Sequence, residues 1–500
     1  MKKLLFVTIF LLFISNVFAE NVRNKTVKTF ANNRATYIVK IAENKPKFAF
    51  VESQIPVTKG RIFMSPIGAD HLPNGWATFV ENLQIKDESG KKLEFEKKDG
   101  ANWQIANNYE GTAKLSYQVN LSFIYENWIS GNEQAGAYFE DSIYLVTRPI
   151  FITSEFEGNH QITFDLPSNW KVSSPWKTTA TKSFIAENQT DLLSNTFVVG
   201  NQKEIRLKEG NFSFILALPG KVQESSALVE STLKPVLKAY QKLFNKTPPN
   251  IFLMTFFYAN ADDGEAYSRS AAFTSQDEVT QNSLILWGNF LAHELFHFWN
   301  GQQIRGAERD NRQWFSEGFT EYFANLTLIR EKLISEDLFI KKIEKHLALY
   351  LYFKSAPAFQ GVSLVQAGAR KGFNRPGVYN GGWTVAFCLD LLIREKTSGK
   401  KTLDDFMRAM YEKYGLTSKS YRYEDLIETA SEVANHNLKP FFETYVSGTE
   451  TIPLKDYLKK YGLEGYSKSY AGEVYLFKNP TATNEERELF KKLISQNQNL

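Results

Sequence analysis

One cysteine, Cys388, in 500 residues leaves no partner for an intrachain disulfide. It falls in an apolar helical pattern and reads as a core residue rather than a nucleophile. Neither sign of charge dominates: 59 lysines and arginines against 55 acids leave a formal charge of +4. No basic block interleaves with aromatics, so a nucleic-acid partner is not expected. Beyond the amino terminus no apolar run approaches the length of a membrane span, and residues 284–458 show no internal repeat or low-complexity stretch. Histidine is scarce as well, with six in the chain, which makes any close pair informative.

Core material is plentiful: 40 phenylalanines and 43% hydrophobic residues are enough for more than one domain. Residues 1–19 have Lys2 and Lys3, an apolar run over 4–14 and then Val17-Phe18-Ala19, the pattern of a secretory signal peptide cut after Ala19. Export is therefore expected, and a mature chain without disulfides fits a periplasmic or secreted protein. Residues 20–218 alternate apolar and polar positions in short runs (35–41, 114–124, 142–151, 212–218) separated by turn formers, which predicts an antiparallel β-domain, a sandwich. Its tryptophans (Trp76, Trp103, Trp128, Trp170, Trp176) read as core or interface. From 219 to 398 a second domain mixes a helical pattern over 222–245, a buried strand over 251–258 and an edge strand over 270–275, with a loop around 262–264 between the strands. Helical patterns fill 399–480, and 481–500 is a polar tail or surface helix. The fold class expected is α+β, multidomain.

The most informative stretch is His293-Glu294-Leu295-Phe296-His297, which is H-E-x-x-H. Histidines four apart on a helix project from one face and can share a metal, while the intervening carboxylate can deprotonate a water. Asn289 suits the N-cap of this helix, Gly301 suits the turn beyond its end, and Leu291, Leu295 and Phe298 form its apolar stripe. Downstream, Trp314-Phe315-Ser316-Glu317-Gly318-Phe319-Thr320-Glu321-Tyr322 opens another helix with Glu317 and Glu321 on one face. Glu317 can complete a two-histidine, one-glutamate zinc site, and Glu321 can reach the far ring nitrogen of a ligand histidine.

Together His293-Glu294-x-Phe296-His297-x-Trp299-Asn300 and Trp314-x-x-Glu317-Gly318-Phe319-Thr320-Glu321-Tyr322 resemble the glycyl aminopeptidase family of zinc metallopeptidases, of the gluzincin group. The resemblance continues through Tyr379-Asn380-Gly381-Gly382-Trp383 and Thr402-Leu403-Asp404-Asp405-Phe406, and it is clear over about residues 250–460. It implies a thermolysin-like catalytic domain, one zinc ion per chain on His293, His297 and Glu317, and Glu294 as general base. It also implies an active-site tyrosine, for which Tyr379 is in position. The sequence departs from the family in three places. The His297–Glu317 spacing is slightly longer than many gluzincins have. The residues after Pro453 are too few for the PDZ domain that many members carry, so a version without it is expected. The segment that holds the family's substrate-anchoring acid reads Asp262-Asp263-Gly264-Glu265-Ala266, where Glu265 is the candidate for the substrate's amino terminus. The expected function is peptide hydrolysis, by an aminopeptidase. A zinc endopeptidase and a non-catalytic peptide-binding protein on the same fold are the alternatives, and an intact Glu294 speaks against the second.

Overall fold

The computed structural model describes residues 34–495 apart from 43–44, 129–130, 210–211, 246–249, 418 and 469–472. The signal-peptide pattern lies outside the described residues. Strand Arg34–Ala42 buries every second residue, Ala35, Tyr37, Val39 and Ile41, as its alternation requires. It lies inside a seven-stranded sheet, between strands Lys45–Val57 and Asn159–Asp165. A four-stranded sheet carrying Ser142–Val146 and Thr196–Gly200 faces it, and a shared core that includes Val51, Ile143, Leu145, Phe197 and Val199 joins the two as a sandwich. The pairings within both sheets are antiparallel except one: Arg34–Ala42 runs parallel to Asn159–Asp165. Those strands are joined by a long excursion through the rest of the domain, so no hairpin fixes their sense.

Strands Ser142–Val146 and Thr196–Gly200 are buried at every position, not at alternate ones. Ile143, Leu145, Phe197 and Val199 face the sandwich core, while Tyr144, Val146 and Val198 pack against Ile215, Leu253, Phe257 and Ala272 of a third sheet. Both faces of the four-stranded sheet are thus covered, and this fastens the first domain to the second.

The third sheet has five strands, ordered Lys203–Glu209, Phe212–Leu218, Ile251–Tyr258, Ser270–Ser275 and Asp263–Ala266. Two expectations change here. The strands over 203–218 belong to this sheet and not to the sandwich, so the structural division falls near residue 200 and not at 218. Strand Ser270–Ser275, expected at the edge, is interior and fully buried. The edge is Asp263–Ala266, which takes in part of the loop expected around 262–264; its short polar run gives no apolar periodicity.

Helix Leu284–Phe296 packs between helix Ser226–Phe244, helix Gln313–Arg330 and strand Ser270–Ser275. Asn289 is not its N-cap. The helix begins earlier because Leu284, Trp287 and Leu291 already follow the i, i+3, i+7 spacing, which leaves Asn289 buried inside it. Leu291, Leu295 and Phe298 are buried as expected, and Gly301 takes φ +133° in the turn that follows. Helices Glu336–Ser355 and Gly382–Lys396 complete the surround, the latter entered through a π-helical turn, Pro376–Gly381. Cys388 is buried in this helical core.

The region read as helical over 399–480 also contains a hairpin, Leu463–Lys468 with Glu473–Lys478. It docks on helix Glu336–Ser355, where Leu476 N donates to Glu344 Oε2 at 2.8 Å. Helix Asn484–Ile494 follows, opened by a Thr483–Glu486 capping box. Among the described residues no helix is long and apolar enough to cross a membrane.

Candidate active site

The helical spacing brings His293 and His297 side by side, with their Nε2 atoms 3.1 Å apart. From the next helix Glu317 Oε2 approaches both, at 3.4 Å from each Nε2. Donor atoms arranged tetrahedrally about 2.0–2.1 Å from one ion lie about 3.3–3.4 Å from each other, so this triangle fits a single metal ion.

The outer contacts fix the ring states. His293 Nδ1 donates to Glu321 Oε2 at 3.0 Å, and His297 Nδ1 donates to the Asn300 carbonyl at 3.0 Å. A carboxylate and a carbonyl only accept, so both Nδ1 atoms carry hydrogen, and in the neutral rings both Nε2 lone pairs point at the same spot. Facing lone pairs and a carboxylate oxygen repel unless a cation lies among them. The surrounding carboxylates favour positive charge at this spot, a proton on the ring or a metal ion in its place. Burial works to lower the basicity of His293, yet its bonds to Glu317 and Glu321 overcome this and raise it above the ordinary histidine range. Burial likewise opposes ionisation of Glu317, but Lys371, His297 and His293 hold its carboxyl well below the usual range. The donor set of two imidazoles and a carboxylate suits a divalent first-row metal, zinc among them.

Glu294 is buried beside the triangle, and burial lifts its carboxyl above the ordinary range. Its neighbour on the edge strand is Gly264: a Cβ there would stand 2.8 Å from Glu294 Oε1, so a larger residue would push the carboxylate from its place. Tyr379 stacks on His293 with ring centres 6.2 Å apart. Glu265, on the same edge strand, accepts from Arg148 Nη2 at 2.9 Å through Oε1, while its buried Oε2 has no partner among the described residues.

Residues 36–201 match the model of the peptidase M61 N-terminal domain, and residues 287–372 match that of the M61 glycyl aminopeptidase. The chain belongs to the M61 peptidase family. No curated protein matches it in sequence. Its fold is similar to that of an aminopeptidase N family protein from Idiomarina loihiensis, known from a crystal structure, with a TM-score of 0.73. The two are 17% identical, over 87% of this chain and 79% of the other. The first M61 match ends where the sheets divide, and the second spans His293, His297, Glu317 and Glu321 but stops short of Tyr379.

The M61 site holds residues that no motif announced. Lys371 Nζ donates to Glu317 Oε1 at 2.8 Å, so the carboxylate divides, one oxygen to the lysine and the other to the histidines. Glu133 comes from the first domain, fully buried, with neither carboxylate oxygen partnered among the described residues. Burial, then the charge of Asp263 and more distantly of Glu265 and Glu294, pushes its carboxyl up to about 9. Tyr144 and Tyr267 both donate to its main-chain carbonyl at 2.6 Å, which fixes the turn across the domain boundary. Sequence carried no signal for Lys371 or Glu133, because each sits in an irregular segment far along the chain from the H-E-x-x-H helix.

Proposed function

We propose that the chain is a zinc aminopeptidase. The observation that carries this reading is the buried triangle of His293, His297 and Glu317, whose lone pairs converge on one point with Glu294 beside it. Zinc on those residues supplies a Lewis acid that activates water and polarises a carbonyl. Glu294 takes the proton of the attacking water and returns it to the departing amine. Burial raises its carboxyl, which makes it a better proton acceptor than an exposed glutamate. Tyr379 donates its hydroxyl to the tetrahedral oxyanion. The peptide adds as a strand to the open edge Asp263–Ala266, where main-chain hydrogen bonds hold it whatever its side chains.

The substrate's α-ammonium needs a buried carboxylate, since desolvating that charge unpaired is costly. Glu265 offers its buried Oε2, and Glu133 offers both oxygens from across the domain boundary. The amino-terminal pattern supports export, and the reading is of an enzyme acting in the cell envelope or outside it.

The zinc-loaded mature chain, incubated with paired free and Nα-acetylated peptides, should release single amino-terminal residues from the free members only. Internal cuts in acetylated peptides would replace the aminopeptidase by an endopeptidase. A zinc-loaded chain that cuts neither set contradicts the enzyme reading.

A further inference from the structure

His346 is buried on helix Glu336–Ser355, 5% exposed, in a place no motif marks. Its Nε2 lies 3.0 Å from Asn325 Oδ1 and 3.4 Å from Glu321 Oε1, and its Nδ1 lies 2.8 Å from Asn380 Oδ1. The Asn325 oxygen also accepts from Trp383 Nε1 at 3.1 Å. An indole N–H only donates, so that oxygen is an acceptor and His346 Nε2 must be a donor to it. Trp383 further stacks on the imidazole, with centres 4.7 Å apart and planes within 9°. The ring is therefore clamped in place and in orientation, with both nitrogens engaged.

The two ends of this contact chain are the two halves of the catalytic site. Glu321 gives Oε2 to His293 Nδ1 and turns Oε1 towards His346, with Asn289 Nδ2 bridging both oxygens at 3.1 Å each. Asn380 follows Tyr379 in the π-helical turn, and Thr384 Oγ1 donates to its carbonyl at 2.8 Å. Such widened turns are rare and gather at functional sites. The circuit closes where Tyr379 stacks on His293.

We propose that His346 is a positioning residue of this active site, setting the tyrosine-bearing turn against the metal-holding histidine through Asn380 on one side and Glu321 on the other. This rests on the zinc peptidase reading above for the role of Tyr379, but the link to His293 is testable by metal binding alone. His346 touches neither substrate nor metal. Outer partners of this kind typically govern about 10–100-fold in metal affinity or activity.

The test compares His346→Leu, His346→Gln and Asn380→Ala in the full chain, by zinc affinity in competition with a chromophoric chelator and by kcat and KM separately. His346→Leu should weaken zinc about 10-fold and lower kcat about 10–100-fold, with KM nearly unchanged. His346→Gln, whose amide keeps N–H donors for the oxygens of Asn325, Glu321 and Asn380, should recover most of both. Asn380→Ala cuts the circuit only on the tyrosine side, so it should lower kcat and leave zinc affinity intact. In a Tyr379→Phe background the kcat loss from Asn380→Ala should largely vanish. Wild-type zinc affinity and kcat in folded His346→Leu overturn the proposal, as does an Asn380→Ala loss of equal size with and without the Tyr379 hydroxyl. Should His346→Leu not fold, the Asn380→Ala arm decides alone. If wild type cuts no peptide, the enzyme reading fails, while the affinity arm still judges the link from His346 to His293.

Discussion

Gly318 and Gly382 meet backbone to backbone. A Cβ on Gly318 would stand 2.4 Å from Gly382 Cα, and one on Gly382 would stand 1.9 Å from the Trp314 carbonyl oxygen. This contact seats the helix that carries Glu317 directly on the helix that follows Tyr379. Neither neighbour is a side chain that could swing aside. Gly382→Ala should therefore destabilise the protein by about 3 kcal/mol or more, at the upper end of overpacking penalties. Chemical denaturation with and without excess zinc checks this. A variant as stable as wild type would show that the crossing can open freely.

Glu294 and Glu317 separate base from ligand. Glu294→Gln keeps shape and hydrogen bonding but loses the proton acceptor, so kcat should fall by about 10²–10⁴-fold with zinc content unchanged. Glu317→Ala removes a convergent donor and should lose the metal itself, along with the partner of Lys371. Parallel metal analysis and peptide assays distinguish the two. Substantial turnover by Glu294→Gln would remove it from the mechanism.

Glu133 sets stability against recognition. Its carboxyl is raised in the fold to about 9 from an ordinary 4.5. An acid shifted upward stabilises the fold fully only below its unfolded value, and that contribution is lost as pH rises towards the folded one. Glu133→Gln should therefore gain on wild type by about 3 kcal/mol between pH 4.5 and 7. The same variant should lose preference for free over acetylated amino termini. Denaturation at both pH values, paired with the two peptide sets, reads both effects. Reduced stability of Glu133→Gln at pH 7 would show that the acid has a partner when folded.

His160 predicts how the first domain responds to acid. It is fully buried beside Tyr37 and Phe156, and neither ring nitrogen has a partner among the described residues. Burial lowers its pKa to about 4 from 6.5. The folded state thus refuses a proton that the unfolded chain accepts, and stability is lost as pH falls from about 6.5 to about 4. The shift corresponds to about 3 kcal/mol. His160→Leu removes this dependence, so the stability difference between variant and wild type should move by about that amount between pH 7 and 4. A constant difference would contradict the assignment.

How much of this was legible depended on whether a pattern was local. H-E-x-x-H and the Glu317–Glu321 pair are helical spacings, and the triangle they form follows from spacing once two helices pack. The sandwich was readable because Arg34–Ala42 alternates cleanly. Strands Ser142–Val146 and Thr196–Gly200 were harder, since burial on both faces erases alternation. Asn289 misled because a good capping residue is also a good buried hydrogen-bond donor, and its work is on Glu321. Edge strand Asp263–Ala266 is polar and short, and only its pairing with Ser270–Ser275 makes it a strand. Lys371, Glu133 and Arg148 reach the site from irregular segments or another domain, which no spacing rule can anticipate.

The central claim is that His293, His297 and Glu317 hold one zinc ion, and metal analysis of the purified chain tests it most directly. Wild type dialysed against trace zinc should retain about one zinc per chain, and His293→Ala, His297→Ala and Glu317→Ala should each retain little, because removing one of three convergent donors leaves an incomplete site. Stoichiometric zinc in wild type and in folded His293→Ala alike would place the metal elsewhere and contradict the account.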